Sequence, residues 1–210
     1  MSHTLHRIAG SDISNEDYVI LVMAASGYNK DETVPAKYKT LFEIFEKHNP
    51  ANFGSTRTGR LTDTPVEEMF DALDNLYPNL PIIHAVFSTR EDLVEVLKEI
   101  KEVDLGLSVI VSGLVDATDC CIKEAGLKRH SINYSLGVWG KAALLPDEKI
   151  LQISSMCGHA MISFNLVQKV IDDIKAGKTT PEKAAITLSK PCVCGVFNPQ
   201  RARLLLEEFM

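Results

Sequence analysis

The chain has 210 residues, of which 45% are hydrophobic and 24% are charged. This composition is that of an ordinary globular protein, and it excludes a disordered chain, a collagen-like chain and a coiled coil. Acidic residues outnumber basic ones, 28 to 22, which gives a formal net charge of −6. Because a duplex attracts basic surfaces and this chain has no basic stripe, we expect no nucleic-acid partner.

The first 17 residues are polar and mixed, and we interpret them as a loose N-terminal arm. They contain no apolar h-region, so no secretory signal is expected. The longest apolar run covers residues 18–25, whereas a membrane span needs about 20 apolar residues. We therefore expect a cytoplasmic protein with reduced thiols and no membrane partner.

Residues 18–156 are predicted to form an α/β domain. Apolar runs predict strands over 18–27, 82–87, 105–111 and 132–138, with an additional edge strand over 150–156. Helical stripes are found over 35–48, 65–76, 88–103 and 115–125, and residues 49–64 are predicted to be a loop. Alternation of strands and helices predicts a mainly parallel or mixed sheet with flanking helices.

Residues 157–210 are predicted to be a helical C-terminal region that packs on this domain. Helical patterns cover residues 160–176, 180–190 and 198–206. Gly177 and Pro191 mark helix ends, while Pro181 and Pro199 mark helix starts.

The C-terminal region carries the strongest chemical signal, the pairs Cys157-Gly-His159 and Cys192-Val-Cys194. Residues i and i+2 of an extended segment point to the same side, so each pair can present two donors to one point. Three thiolates and one imidazole suit a tetrahedral zinc ion, and thiolates hold iron–sulfur clusters. Cys157, His159, Cys192 and Cys194 are therefore predicted metal ligands, with zinc and an iron–sulfur cluster both open. The function that this site predicts is metal or cluster binding, and a role as a redox or accessory enzyme is left open.

Two alternatives use the same residues differently. Cys157 lies just before a predicted helix start at about residue 160, where the helix dipole lowers a thiol pKa, and His159 is close enough to deprotonate it. This arrangement predicts a thiol enzyme with Cys157 and His159 as catalytic residues. Alternatively, the cysteines are buried core residues of a non-catalytic scaffold or ligand-binding protein, because free cysteine is among the most buried residue types. Cys120 and Cys121 are adjacent on a predicted helix and are expected to be structural.

A second site is expected at the ends of the predicted strands. Open α/β sheets bind ligands beyond the carboxyl ends of their parallel strands. The residues at these ends are Gly27, Ser88, Ser112, Gly113 and Gly137. This edge is the predicted pocket for a small-molecule ligand, and homo-oligomerisation is left open.

Overall fold

The computed structural model describes Arg7 and residues 17–210. Of the predicted N-terminal arm, residues 1–6 and 8–16 lie outside the described residues. The strands are β1 (Tyr18–Met23), β2 (Asn52–Ser55), β3 (Gly59–Arg60), β4 (Ile83–Phe87) and β5 (Ser108–Ser112). The helices are α1 (Val34–Lys47), α2 (Val66–Leu73), α3 (Arg90–Val103), α4 (Val115–Glu124), α5 (Glu148–Ser154), α6 (Phe164–Lys175), α7 (Pro181–Ser189) and α8 (Pro199–Glu207).

Within the described residues, the strands form one sheet in the order β3-β2-β4-β1-β5. Every pairing in it is antiparallel, so the α/β class is confirmed but the prediction of a mainly parallel or mixed sheet is wrong. β4 and β5 do run in the same direction, but β1 lies between them, and β4 likewise separates β1 from β2. Each is a split β–α–β unit. Alternation of strands and helices in the sequence does not show whether two strands joined by a helix are neighbours in the sheet or are separated by a third strand.

The sheet separates two hydrophobic clusters. Tyr18, Ile20 and Val22 of β1 face the cluster covered by α1, α2, α3 and α4. Val19 and Leu21 face the opposite cluster, which α5, α6, α7 and α8 cover. This alternation follows from the two-residue period of a strand, and each fully buried aliphatic side chain contributes about 1.5–3 kcal/mol. The C-terminal helices therefore pack on a different face of the sheet from the helices that precede them.

Polar caps define where the C-terminal helices begin. Ser163 accepts a hydrogen bond from Leu166 N at the start of α6. Thr180 and Asn198 do the same for α7 and α8, each followed by a proline in the first turn. These caps satisfy N–H groups that have no partner inside the helix.

Two predicted strands are absent from the described structure. Residues 132–138 are irregular and exposed, although their apolar residues alternate. Residues 150–156, predicted as an edge strand, instead fall largely in α5, where Asp147 caps the helix by accepting from Lys149 N. Ile150 and Ile153, three residues apart, both contact the second cluster, which is the helical spacing.

The predicted loop over 49–64 contains two strands, β2 and β3. Their pairing depends on Gly54, which has a φ of +139° and whose hypothetical Cβ would lie 2.1 Å from Gly59 O. Only glycine permits this approach of two backbones. Short strands rich in glycine and serine lack the apolar pattern from which strands are predicted.

None of the helices in the described part of the chain is long and apolar enough to cross a membrane.

Candidate functional site

The four predicted ligands lie in two loops that the C-terminal helices bring together. Cys157 and His159 follow α5, and Cys192 and Cys194 lie between α7 and α8. The Sγ atoms of Cys192 and Cys194 are 3.9 Å apart, and Cys194 Sγ is 3.6 Å from His159 Nδ1. The thiols of Cys157 and Cys192 are close enough for each to shift the pKa of the other. All four residues therefore form one series of neighbouring donors, which we call the Cys/His series.

The four side chains differ in their exposure to solvent. Cys157 and Cys192 are buried, Cys194 is half-buried and His159 is exposed. The Cys/His series thus runs from the hydrophobic core to the surface, and its solvent-facing end is the imidazole. An ion or small molecule reaches the series from the side of His159.

Proton sharing between Cys157 and Cys192 determines which of them is ionised. The pKa of Cys157 is lowered from 9.0 to about 6, mainly by the hydrogen bond from Cys192 and against the opposing effect of burial. Backbone hydrogen bonds at Met161 and His159 contribute to the same lowering. Hydrogen bonds to Cys157 and Cys194, together with burial, raise the pKa of Cys192. Cys157 is therefore the thiolate, and Cys192 is the thiol that donates to it.

The prediction that a helix dipole lowers the pKa of Cys157 is wrong, because Cys157 does not lie at the start of a helix. α6 begins at Phe164 with Ser163 as its cap, so Cys157 lies several residues before it. Cys157 instead sits in a turn after α5, closed by a hydrogen bond from Ala160 N to Cys157 O. The low pKa of Cys157 comes from the neighbouring thiol and local N–H groups, and not from a helix end.

The loop that carries Cys192 and Cys194 is tied to the sheet by polar side chains. Asn52 of β2 donates from Nδ2 to Gly195 O at 2.8 Å. Arg60 of β3 donates to Cys192 O and also pairs with Asp63. The carbonyls on both sides of Cys194 are therefore held by strands that the sequence did not predict.

Gly195 allows the same loop to lie directly against β4. A Cβ at this position would be 2.4 Å from both Cε1 and Nε2 of the buried His84 ring. The φ of Gly195 is +77°, a conformation that other residues rarely adopt. The His84 ring thus packs directly against the loop that carries Cys192.

A buried charged cluster lies beneath both loops. Asp17 accepts hydrogen bonds from Arg7, from Arg201 Nη1 at 3.0 Å and from Asn198 Nδ2 at 3.0 Å. Burial alone would raise the pKa of Asp17, but the two guanidinium groups outweigh it and hold this pKa below 3.8.

The same cluster reaches the backbone beside each cysteine loop. Arg7 donates to Met156 O, next to Cys157, and to Val196 O, two residues after Cys194. One arginine therefore links the two halves of the Cys/His series. Sequence reasoning missed this cluster, because a lone Arg or Asp beside apolar residues gives no sign of its partner.

The arrangement is not yet a closed coordination sphere. Across Arg7 and residues 17–210, no group of three or more His, Cys, Asp or Glu side chains is placed to hold a metal ion. The donors contact one another in sequence, from Cys157 to His159, rather than around a single point.

The other two cysteines lie apart from the Cys/His series on α4. Cys121 is buried in the first hydrophobic cluster, and Cys120 is exposed. This is the divergence expected of adjacent helical residues.

The predicted ligand pocket does not exist in the expected form, because strands of an antiparallel sheet do not share a carboxyl edge. A cavity of about 650 Å³ instead opens beside the edge strand β5. Ser112 and Gly113 line it, whereas Gly27, Ser88 and Gly137 are not among the described residues that do. Val109 and Val111 in its wall belong to the first hydrophobic cluster, so the cavity and the Cys/His series lie on opposite faces of the sheet.

No protein-family model, no curated protein and no solved structure matches this chain.

Proposed function

We propose that this protein binds a thiophilic metal centre, a zinc ion or an iron–sulfur cluster, through Cys157, His159, Cys192 and Cys194. The observation that carries the proposal is the contact between Cys194 Sγ and His159 Nδ1, which joins two loops 35 residues apart. Three cysteines and one histidine are a common ligand set for structural zinc.

The spacing of the sulfur atoms supports this proposal. With Zn–S bonds of about 2.3 Å in a tetrahedron, two sulfurs on one ion lie about 3.8 Å apart. The Sγ atoms of Cys192 and Cys194 are 3.9 Å apart. Closing the remaining donors around one point requires side-chain rotation of Cys157 and His159, while the backbone keeps its anchors to Asn52 and Arg60.

The ionisation of the thiols also supports metal binding, because the thiolate is the form of cysteine that binds a metal. Cys157 has a pKa of about 6 and supplies one thiolate. Cys192 must release the proton that it donates to Cys157, so binding of the metal is expected to release protons and to weaken in acid. The metal would supply a cross-link between the two loops and, as a cluster, electron transfer.

The two kinds of centre use the four donors differently. A zinc ion would take all four and form a closed, structural site. A cluster would take the three thiolates, with its remaining iron either bound by the exposed His159 or open to a substrate. The proposal concerns the shared thiolate donors, and the experiment distinguishes the two centres.

The test is anaerobic purification followed by metal and sulfide analysis and an absorption spectrum. One zinc per chain in a colourless protein, or iron with sulfide in a brown one, supports the proposal and identifies the centre. Single Cys157→Ser, Cys192→Ser and Cys194→Ser substitutions should each abolish binding, and Cys120→Ser on α4 is the matched control. A chain that takes up neither zinc nor iron after reconstitution would contradict the proposal.

A second candidate function, thiol–disulfide exchange, is favoured by the hydrogen bond between Cys157 and Cys192. The Cys157 thiolate would attack a substrate disulfide and release one substrate thiol. Cys192 would then displace the second substrate thiol, leaving a Cys157–Cys192 disulfide. Incubation of the metal-free protein with oxidised glutathione should then yield this disulfide by peptide mass mapping, and its absence would exclude this function.

A further inference from the structure

A long segment rich in apolar residues, 132–145, lies exposed between α4 and α5. Its large apolar side chains are between 37% and 83% exposed. They are Ile132, Tyr134, Leu136, Val138, Trp139, Leu144 and Leu145. Together they expose on the order of 800 Å², which is about what one partner contributes to a standard protein interface. So much exposed apolar surface within one segment is typical of an interaction site.

The order of apolar and polar residues in this segment indicates which kind of partner would bury it. Ile132, Tyr134, Leu136 and Val138 alternate with Asn133, Ser135 and Gly137. A two-residue period puts all four apolar side chains on one face of an extended strand. A helical partner or a lipid surface would not require this alternation, whereas addition to the edge of a sheet does.

The same chain offers an edge that fits such a strand. β5 pairs with β1 on one side and is the last strand of the sheet on the other, within the part of the chain that the structure describes. Residues Val109, Ile110 and Val111 of β5 are only partly buried, and an edge of this kind is a template for another strand.

The cavity beside β5 provides room for the incoming side chains. Its apolar wall includes Val109, Val111, Ile122 and Leu127. Ile132 and Asn133 line it as well, but the chain then leaves the cavity, and residues from Tyr134 onward are exposed. Within the part of the chain that the structure describes, each copy therefore carries a strand edge to which no further strand is paired and, beside it, a segment with the sequence of a strand.

We infer that two copies of this chain dimerise by exchanging residues 132–138, each segment adding to the β5 edge of the other copy. A two-fold axis satisfies both edges at once, because the same two surfaces meet twice. Residues 131–146 contain one charged residue, Lys141, and no acidic residue, so little charge has to be desolvated when this segment is buried against a second copy. This inference is independent of the proposed metal centre.

The test is the solution mass of the full-length protein, measured by light scattering, with hydrogen exchange of the same samples. The wild type should have twice the chain mass at micromolar concentration, and exchange of residues 108–112 and 132–138 should slow as the dimer forms. The double variant Leu136→Ser with Val138→Ser should be monomeric and lose this protection. The matched control, Tyr28→Ser with Met210→Ser, removes exposed apolar side chains elsewhere and should stay dimeric.

Three results would overturn the inference. One is a wild-type protein that remains monomeric, including a monomer whose segment is protected by its own β5. Another is a dimer that survives Leu136→Ser with Val138→Ser and shows no protection of either segment. The third is a monomer that binds vesicles of anionic phospholipid through this segment, which would make it a membrane contact.

Discussion

The Sγ atom of Cys194 lies 3.6 Å from Nδ1 of His159. The loop of His159 follows α5 and the loop of Cys194 follows α7, so this contact is made only when α6 and α7 have packed on the sheet. The contact also marks the solvent-facing end of the Cys/His series, because His159 is exposed and Cys157 is buried. Any ligand of the thiols therefore meets the histidine first.

Gly195→Ala should displace the Cys192 loop from the sheet. The new Cβ would lie 2.4 Å from the ring of His84, which is buried. Overpacking of this kind costs about 1–3 kcal/mol. We expect a lower free energy of unfolding in denaturant titrations and a weakened affinity for zinc.

Gly177→Ala is the control for this substitution. Gly177 has a φ of +68° but nothing lies within 4 Å of its hypothetical Cβ. It therefore reports the cost of the backbone conformation without the clash. Equal destabilisation by the two substitutions, with unchanged zinc affinity in both, would contradict the packing role assigned to Gly195.

Asp17→Asn should strongly destabilise the protein. The substitution leaves the buried guanidinium groups of Arg7 and Arg201 without their carboxylate. Removal of one partner from a buried ion pair costs about 3–5 kcal/mol. Urea titration at neutral pH measures this difference, and Glu95→Gln, which disrupts an exposed pair with Lys98, should change the midpoint far less.

The pH dependence of stability provides a separate test of the Asp17 cluster. Because the pKa of Asp17 is held below its ordinary value of 3.8, its contribution is complete above that value and is lost as pH falls through the folded-state pKa. The stability difference between the wild type and Asp17→Asn should therefore shrink as pH falls below 3.8. A difference that stays constant down to the acid limit would mean that Asp17 is not ionised in the folded protein.

The metal-free protein should show one thiolate that forms at about pH 6, the pKa of Cys157. Ultraviolet absorbance of the thiolate follows this titration. Cys192→Ala removes the main hydrogen-bond donor to Cys157, so the midpoint should rise towards the ordinary value of 9.0. Cys120→Ala should leave the midpoint unchanged, and a midpoint that does not respond to Cys192→Ala would refute the shared proton.

Local patterns in the sequence predict the helices better than they predict the sheet. The stripe and caps of α6, α7 and α8 involve residues within a few positions of each other, so each segment contains its own signal. The direction of neighbouring strands depends on long-range pairing. That is why a parallel sheet was expected, and why β2, whose pairing relies on Gly54, was missed.

The candidate site, like the sheet, depends on long-range contacts that the sequence does not show. The spacing of Cys157 with His159, and of Cys192 with Cys194, predicted one shared site, and His159, Cys194 and Cys192 do lie in contact. Their support was not visible, since Asn52, Arg60 and His84 act through backbone contacts with residues far away in the chain. The apolar run over 132–138 predicted a strand, yet in the described structure this segment is not paired with any strand of the sheet.

X-ray absorption spectroscopy of the zinc-loaded protein measures whether the three thiols and the imidazole bind one ion. We expect a first shell of three sulfurs at about 2.3 Å and one nitrogen at about 2.0–2.1 Å, with the nitrogen lost or replaced in His159→Ala. A shell of oxygen and nitrogen without sulfur, or a sulfur shell that is unchanged in Cys192→Ser, would contradict it.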